Sequence, residues 1–195
     1  MRIAAAAGAL AMFAVLVVVG VSQSPTLLPV AETPTVPTSP EANTCHYQGS
    51  PGAELPDPAC TPGALDPVVT QDNIHQTICV SGYTATVRPP VNYTNALKRK
   101  QMTAYGRATD DPRSFEMDHR TPLETGGSPQ SILNLWPERY ERDGATAGYG
   151  AESKDRLENY VHQQICKGAM TLAEGQAVFM EDFFKWRDDH LGKGF

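Results

Sequence analysis

Asp118 and His119 stand side by side in the stretch Phe115-Glu-Met-Asp-His-Arg-Thr-Pro-Leu-Glu-Thr-Gly-Gly-Ser128, and Asn134-Leu-Trp-Pro137 follows a few residues on. A carboxylate is a hard oxygen donor for a divalent cation. An imidazole with a pKa near neutral gives or takes a proton at physiological pH. Neighbours in a strand point to opposite faces, so one of the pair can hold a metal while the other faces a substrate. Together they form the equipment of metal-assisted hydrolysis.

Three elements must position them. Phe115 to His119 reads as a short strand ending on the two polar side chains. Gly126-Gly127 is a tight reversal, because glycine takes positive φ without steric cost. The segment around Ile132 to Trp136 then returns as the second strand of an irregular hairpin. After a polar loop from Glu138 to Gly150, Ala151 to Cys166 reads as a helix. Leu157, Val161, Gln164 and Ile165 form its inward stripe, and Asp155, Asn159, His162 and Cys166 form a polar stripe beside it. The predicted fold class is α+β, a small hairpin with helices packed on it. The competing architecture is a mostly helical domain in which the hairpin is only a loop.

This stretch resembles the motif of the HNH endonucleases, the ββα-metal nucleases: an acid before a histidine, a proline close behind, a Gly-Gly, then Asn-Leu. From about Ile78 to Trp186 it is similar to small exported actinobacterial HNH-like proteins that carry "DH-x-x-PLE-x-GG…NLWPE…KD-x-LEN". The resemblance implies a hydrolase acting on the phosphodiester bonds of DNA or RNA. In that reading Asp118 is a metal ligand, His119 the general base, and Asn134 the residue that braces the loop and orients the base. A further ligand comes from the helix. Asn159 is the first choice, with Asp155 one turn before it and His162 almost one turn after it. The implied cofactor is a divalent ion, Mg²⁺, Mn²⁺ or Zn²⁺. Arg120, Arg113 and Lys98 are candidate substrate contacts, and Glu116 and Glu124 are further acids near the site. The late Cys-His-x-x-Lys segment of many HNH enzymes is missing. The alternative function is an inactive HNH-fold binding module of the cell envelope.

Length and composition frame this reading. The 195 residues allow one ordinary domain with tails. The net charge of −6 does not favour phosphate binding by the chain as a whole. The imbalance lies upstream, however: Cys79 to Phe195 holds 15 basic and 16 acidic residues. Met1-Arg2 followed by 19 small or apolar residues, Ile3 to Val21, reads as a secretory signal peptide over residues 1–22. The competing reading is an uncleaved anchor of near-spanning length, the one membrane contact expected. Either way the chain is exported, to the medium or the envelope. Residues 23–44, rich in Pro, Thr and Ser, read as a linker. Residues 45–77 form a Cys/Pro/Gly-rich extension, and 78–195 the HNH-like domain.

Four cysteines in an exported chain read as two disulfides. Of three possible pairings the expectation is Cys45–Cys60, closing a loop with no core of its own, and Cys79–Cys166, tying the start of the domain to the end of the helix. The lack of a Cys-x-x-Cys pair argues against zinc–thiolate binding, and His46 and His75 read as surface residues. Thr77 to Val80 reads as extended. Asn92 or Thr94 caps a helix that runs to about Tyr105 and carries Lys98-Arg-Lys100 outward. Thr171-Leu-Ala-Glu174 is a capping box opening a last helix to about His190, whose aromatic residues cover the core.

Overall fold

The computed structural model describes residues 38–141 and 148–195. The expected signal peptide or anchor, and all but the end of the expected linker, lie outside the described residues. Among the described residues no helix is long and apolar enough to cross a membrane.

Among the described residues the fold is α+β, with two small antiparallel sheets, five α-helices and two disulfides. Strands β1 (Gln48–Ser50) and β2 (Ala53–Leu55) form a hairpin that the sequence reading leaves unassigned. Helices α1 (Tyr83–Val87) and α2 (Val91–Ala104) follow. Then come β3 (Phe115–His119), β4 (Leu135–Arg139), α3 (Ala151–Cys166), α4 (Leu172–Met180) and α5 (Phe183–His190).

Strand β3 pairs antiparallel with β4, setting Asp118 opposite Trp136 and His119 opposite Leu135. The returning strand therefore starts three residues later than Ile132 and runs on to Arg139. Glu138, read from sequence as the start of a loop, is a buried strand residue opposite Glu116. Its polarity misleads because its partner is a buried cation on α3 rather than water.

Thr77 to Val80 is turn, not strand. Asn73 Oδ1 accepts from the Thr70 amide at 2.8 Å and starts a 3-10 turn over Gln71–Gln76. Its end folds back through Cys79 N to Ile74 O. Helix α2 begins at Val91, with Pro90 before it in extended geometry, so neither Asn92 nor Thr94 is its cap. The last helix is two helices. Asp182 breaks the run and caps α5 by accepting from Lys185 N at 2.8 Å. The capping box at Thr171 and Glu174 is present.

Leu157, Val161 and Ile165 of α3 are fully buried, and they pack with Trp136, Phe179 and Phe183 in one core. Gly175 lets α4 lie close on α3, since a Cβ there would sit 2.4 Å from Ile165 Cδ1. Cys45, Leu55, Val69 and Ile74 belong to the same core. Residues 45–77 thus pack with the domain, and Tyr47 donates to Pro137 O of β4 at 2.7 Å. Cys45–Cys60 and Cys79–Cys166 are both bonded as the sequence reading expects.

Candidate active site

Alternation along β3 sends its two polar end residues to different neighbours. Asp118 meets α3. His119 lines a cleft of about 240 Å³ beside α2, together with Arg88, Lys98, Glu116 and Tyr140.

The loop behind them is held by Asn134. Its amide nitrogen donates to Thr121 O at 2.9 Å and Ser128 O at 3.0 Å, and its oxygen accepts from Thr121 N at 2.8 Å. These three bonds close the loop from β3 to β4 around a fully buried side chain. The two glycines serve different needs. Gly126 takes a left-handed φ of 79°. Gly127 does not, and is glycine because a Cβ there would lie 1.8 Å from Thr121 O.

His119 is buried, and its Nε2 lies 2.9 Å from Pro129 O. A carbonyl only accepts, so Nε2 carries the proton and Nδ1 holds the free lone pair. Burial lowers the imidazole pKa more than neighbouring Asp118 raises it. The ring is therefore neutral and basic at neutral pH. Lys98 Nζ donates to Phe115 O at 2.9 Å and Pro112 O at 3.1 Å. An ammonium has three donors, so one N–H remains.

On the other face, Lys154 of α3 is completely buried among acids. Its Nζ donates to Asp118 Oδ2 at 2.5 Å, to His119 O at 2.9 Å and to Glu158, and it lies 3.7 Å from Glu138. Asp118 Oδ1 accepts from His119 N at 2.7 Å. Burial pushes the Asp118 pKa up, but Lys154 outweighs it and holds the group at about 2. Burial would lower Lys154, yet its surrounding carboxylates hold it well above the ordinary lysine value. One ammonium cannot balance three acids. Burial, against the pull of Lys154, leaves Glu158 at about 8 and Glu138 well above the ordinary range. Glu116 is raised to about 7, first by burial and then by Asp118 and Asp155. Both Glu138 oxygens are buried without a hydrogen-bond partner.

The polar stripe of α3 expected to face Asp118 does not do so. Asn159 is exposed and donates to Asp155 O of its own helix at 2.8 Å. His162 Nε2 pairs with Ile78 O at 2.9 Å, and its Nδ1 lies 3.9 Å from Glu124. Neither hydrogen-bonds nor ion-pairs with Asp118 or His119. Asp155 acts on the site only as a nearby charge. Lys154 and Glu158, one turn apart, occupy the facing positions. Both, with Glu138, stand in the strings "KD-x-LEN" and "NLWPE", the signal that could have found them.

Arg120 is buried, and its three guanidinium nitrogens donate to Thr61 O, Phe179 O and Met180 O at 2.7, 3.2 and 2.5 Å. It clamps the loop before Gly63 to the end of α4 and does not line the His119 cleft. Arg113 is exposed, pairs with Asp111 at 2.9 Å, and does not line the His119 cleft. Of the three expected substrate contacts, Lys98 alone shares that cleft, and Arg88 joins it unforeseen.

A second cluster lies at the other end of α3. The ligand atoms of Cys79, His162 and Cys166 fall within 4.8 Å of one another, with both sulfurs joined in the disulfide.

The chain matches no family model, no curated protein and no solved structure.

Proposed function

We propose that the chain is an exported, metal-dependent phosphodiesterase of HNH type that hydrolyses DNA or RNA. The observation that carries the reading is His119. It is a neutral imidazole with its Nε2–H anchored on Pro129 O, in a cleft rimmed by Arg88 and Lys98. In this reading Nδ1 takes the proton of the attacking water. The two cations hold the phosphate oxygens, and Asn134 keeps the loop, and with it His119, in place.

Asp118, Glu138 and Glu158 supply oxygen donors of the kind a hard cation such as Mg²⁺ or Mn²⁺ takes, but Lys154 Nζ stands among them, so an ion would have to displace that ammonium to reach them and the partnerless Glu138 oxygens. A divalent ion held there would contribute positive charge beside the end of β3, the kind of charge relief that phosphodiester hydrolysis uses.

One observation favours the second reading, an inactive binding module. Lys154 already gives Asp118 a full counter-charge. The deciding assay is plasmid and RNA degradation by the full chain with Mg²⁺, Mn²⁺ or Zn²⁺, with and without chelator. Wild type is expected to cleave only with metal. His119→Ala should lose at least about a hundredfold in rate with an unchanged circular-dichroism spectrum. Absence of metal-dependent cleavage by wild type gives the site to the binding module.

A further inference from the structure

We propose that Cys79, His162 and Cys166, with Glu124, form a zinc site in the dithiol form of this chain, so that the Cys79–Cys166 bond and a bound Zn²⁺ are alternative fastenings of α3. The proposal is independent of the His119 cleft.

Four observations meet at this place. The sulfur atoms and the imidazole already lie within 4.8 Å of one another. His162 and Cys166 are one helical turn apart on α3, a spacing that puts two side chains on one face. The His162 Nε2–H is turned toward Ile78 O at 2.9 Å, which fixes the tautomer and leaves the Nδ1 lone pair free. A ring nitrogen anchored on a carbonyl while the other is available is the usual second partner of a metal-bound histidine. Finally, Glu124 Oε2 is shut off from solvent with no hydrogen-bond partner, 3.9 Å from that same Nδ1. Cys79, Glu124 and His162 share the wall of one cavity of about 360 Å³. The set of two sulfurs, one nitrogen and one oxygen suits tetrahedral Zn²⁺.

A dithiol reductant gives two electrons and two protons to the sulfur–sulfur bond, which breaks into two thiols while the reductant closes to its own disulfide. Zn²⁺ then displaces both thiol protons to solvent and binds two thiolates. The sulfurs must part to roughly 3.8 Å, the edge of a tetrahedron with zinc–sulfur bonds of about 2.3 Å. The cavity beside Cys79 gives the room.

The test uses the full chain, reduced with a dithiol, desalted anaerobically, and then offered Zn²⁺ or Co²⁺. The reduced chain should retain one zinc per molecule more than the oxidised chain, which separates this site from any metal held beside β3. The cobalt form should show the strong visible bands of a tetrahedral site with sulfur-to-metal charge transfer. His162→Ala should weaken zinc binding by about a hundredfold and Glu124→Gln by about tenfold, while the oxidised variants keep the wild-type circular-dichroism spectrum. Three outcomes overturn the proposal. One is a folded, reduced chain that takes no more metal than the oxidised chain. Another is zinc binding that survives His162→Ala unchanged, which places the ion elsewhere. The third is a reduced chain that stays unfolded with zinc present.

Discussion

At the end of β3, His119 faces one side, and Lys154 of α3 meets Asp118 on the other. The imidazole is kept neutral by burial, with its proton committed to Pro129 O. A base with a lowered pKa stays unprotonated to lower pH. The acid limb of the kcat/KM profile should accordingly fall below the ordinary histidine value of about 6.5, as measured by initial rates against pH. Lys154 carries the opposite burden. Removing it by Lys154→Met leaves Asp118, Glu138 and Glu158 without their cation, and a lone buried charge costs about 3–5 kcal/mol. The sign with pH follows from the acids. Glu158, raised to about 8, gives its full stabilisation below its unfolded value of about 4.5 and loses it as pH rises through 8. Asp118, held at about 2, gives its stabilisation above about 3.9 and loses it on acidification. The variant's deficit should be greatest at pH 8 and shrink toward pH 5, where the carboxyls take protons instead. Urea unfolding at the two pH values measures it.

At the scale of elements, the readable parts were those with a local cause. Helix α3 follows from Leu157, Val161 and Ile165 at helical spacing, and the capping box at Thr171 marks the start of α4. The break at Asp182 also has a local cause, an aspartate whose carboxylate reaches Lys185 N, but the apolar run across it hid the break. What sequence could not show was which stripe of α3 faces β3. Periodicity favours a polar stripe for ligands, whereas the fold buries a lysine there, because a buried charge is stable when charges on another element meet it. The same holds for Glu138, which is legible as polar but buried through a partner far along the chain. The His162-x-x-x-Cys166 turn was in plain view, and only the fold brings Cys79 to it. The loop between β3 and β4 is the element where local and tertiary needs coincide. Gly127→Ala forces a Cβ against Thr121 O and Asn134, and should cost about 3 kcal/mol or more, read as a lowered denaturant midpoint with an unchanged slope.

At the scale of the molecule, one core joins residues 45–77 to the rest, while Cys45–Cys60 closes a loop inside that segment and Cys79–Cys166 ties the chain just after it to the end of α3. Cys79–Cys166 spans 87 residues and Cys45–Cys60 spans 15. Loop-closure entropy then assigns about 4–5 kcal/mol to the first and about 3 kcal/mol to the second. Replacing Cys79 and Cys166 together by serine should therefore lower the unfolding free energy more than replacing Cys45 and Cys60, with guanidinium melts of both double variants as the check.

The clamp made by Arg120 sets an order of events during biosynthesis. The hairpin is complete in the chain once Arg139 has been made, yet the carbonyls that hold the residue after His119 belong to Phe179 and Met180. A ribosome delivering the chain from its N-terminus therefore releases Arg120 well before the carbonyls that clamp it arrive. The residue next to His119 thus gains its last backbone partners only when the end of α4 has been made.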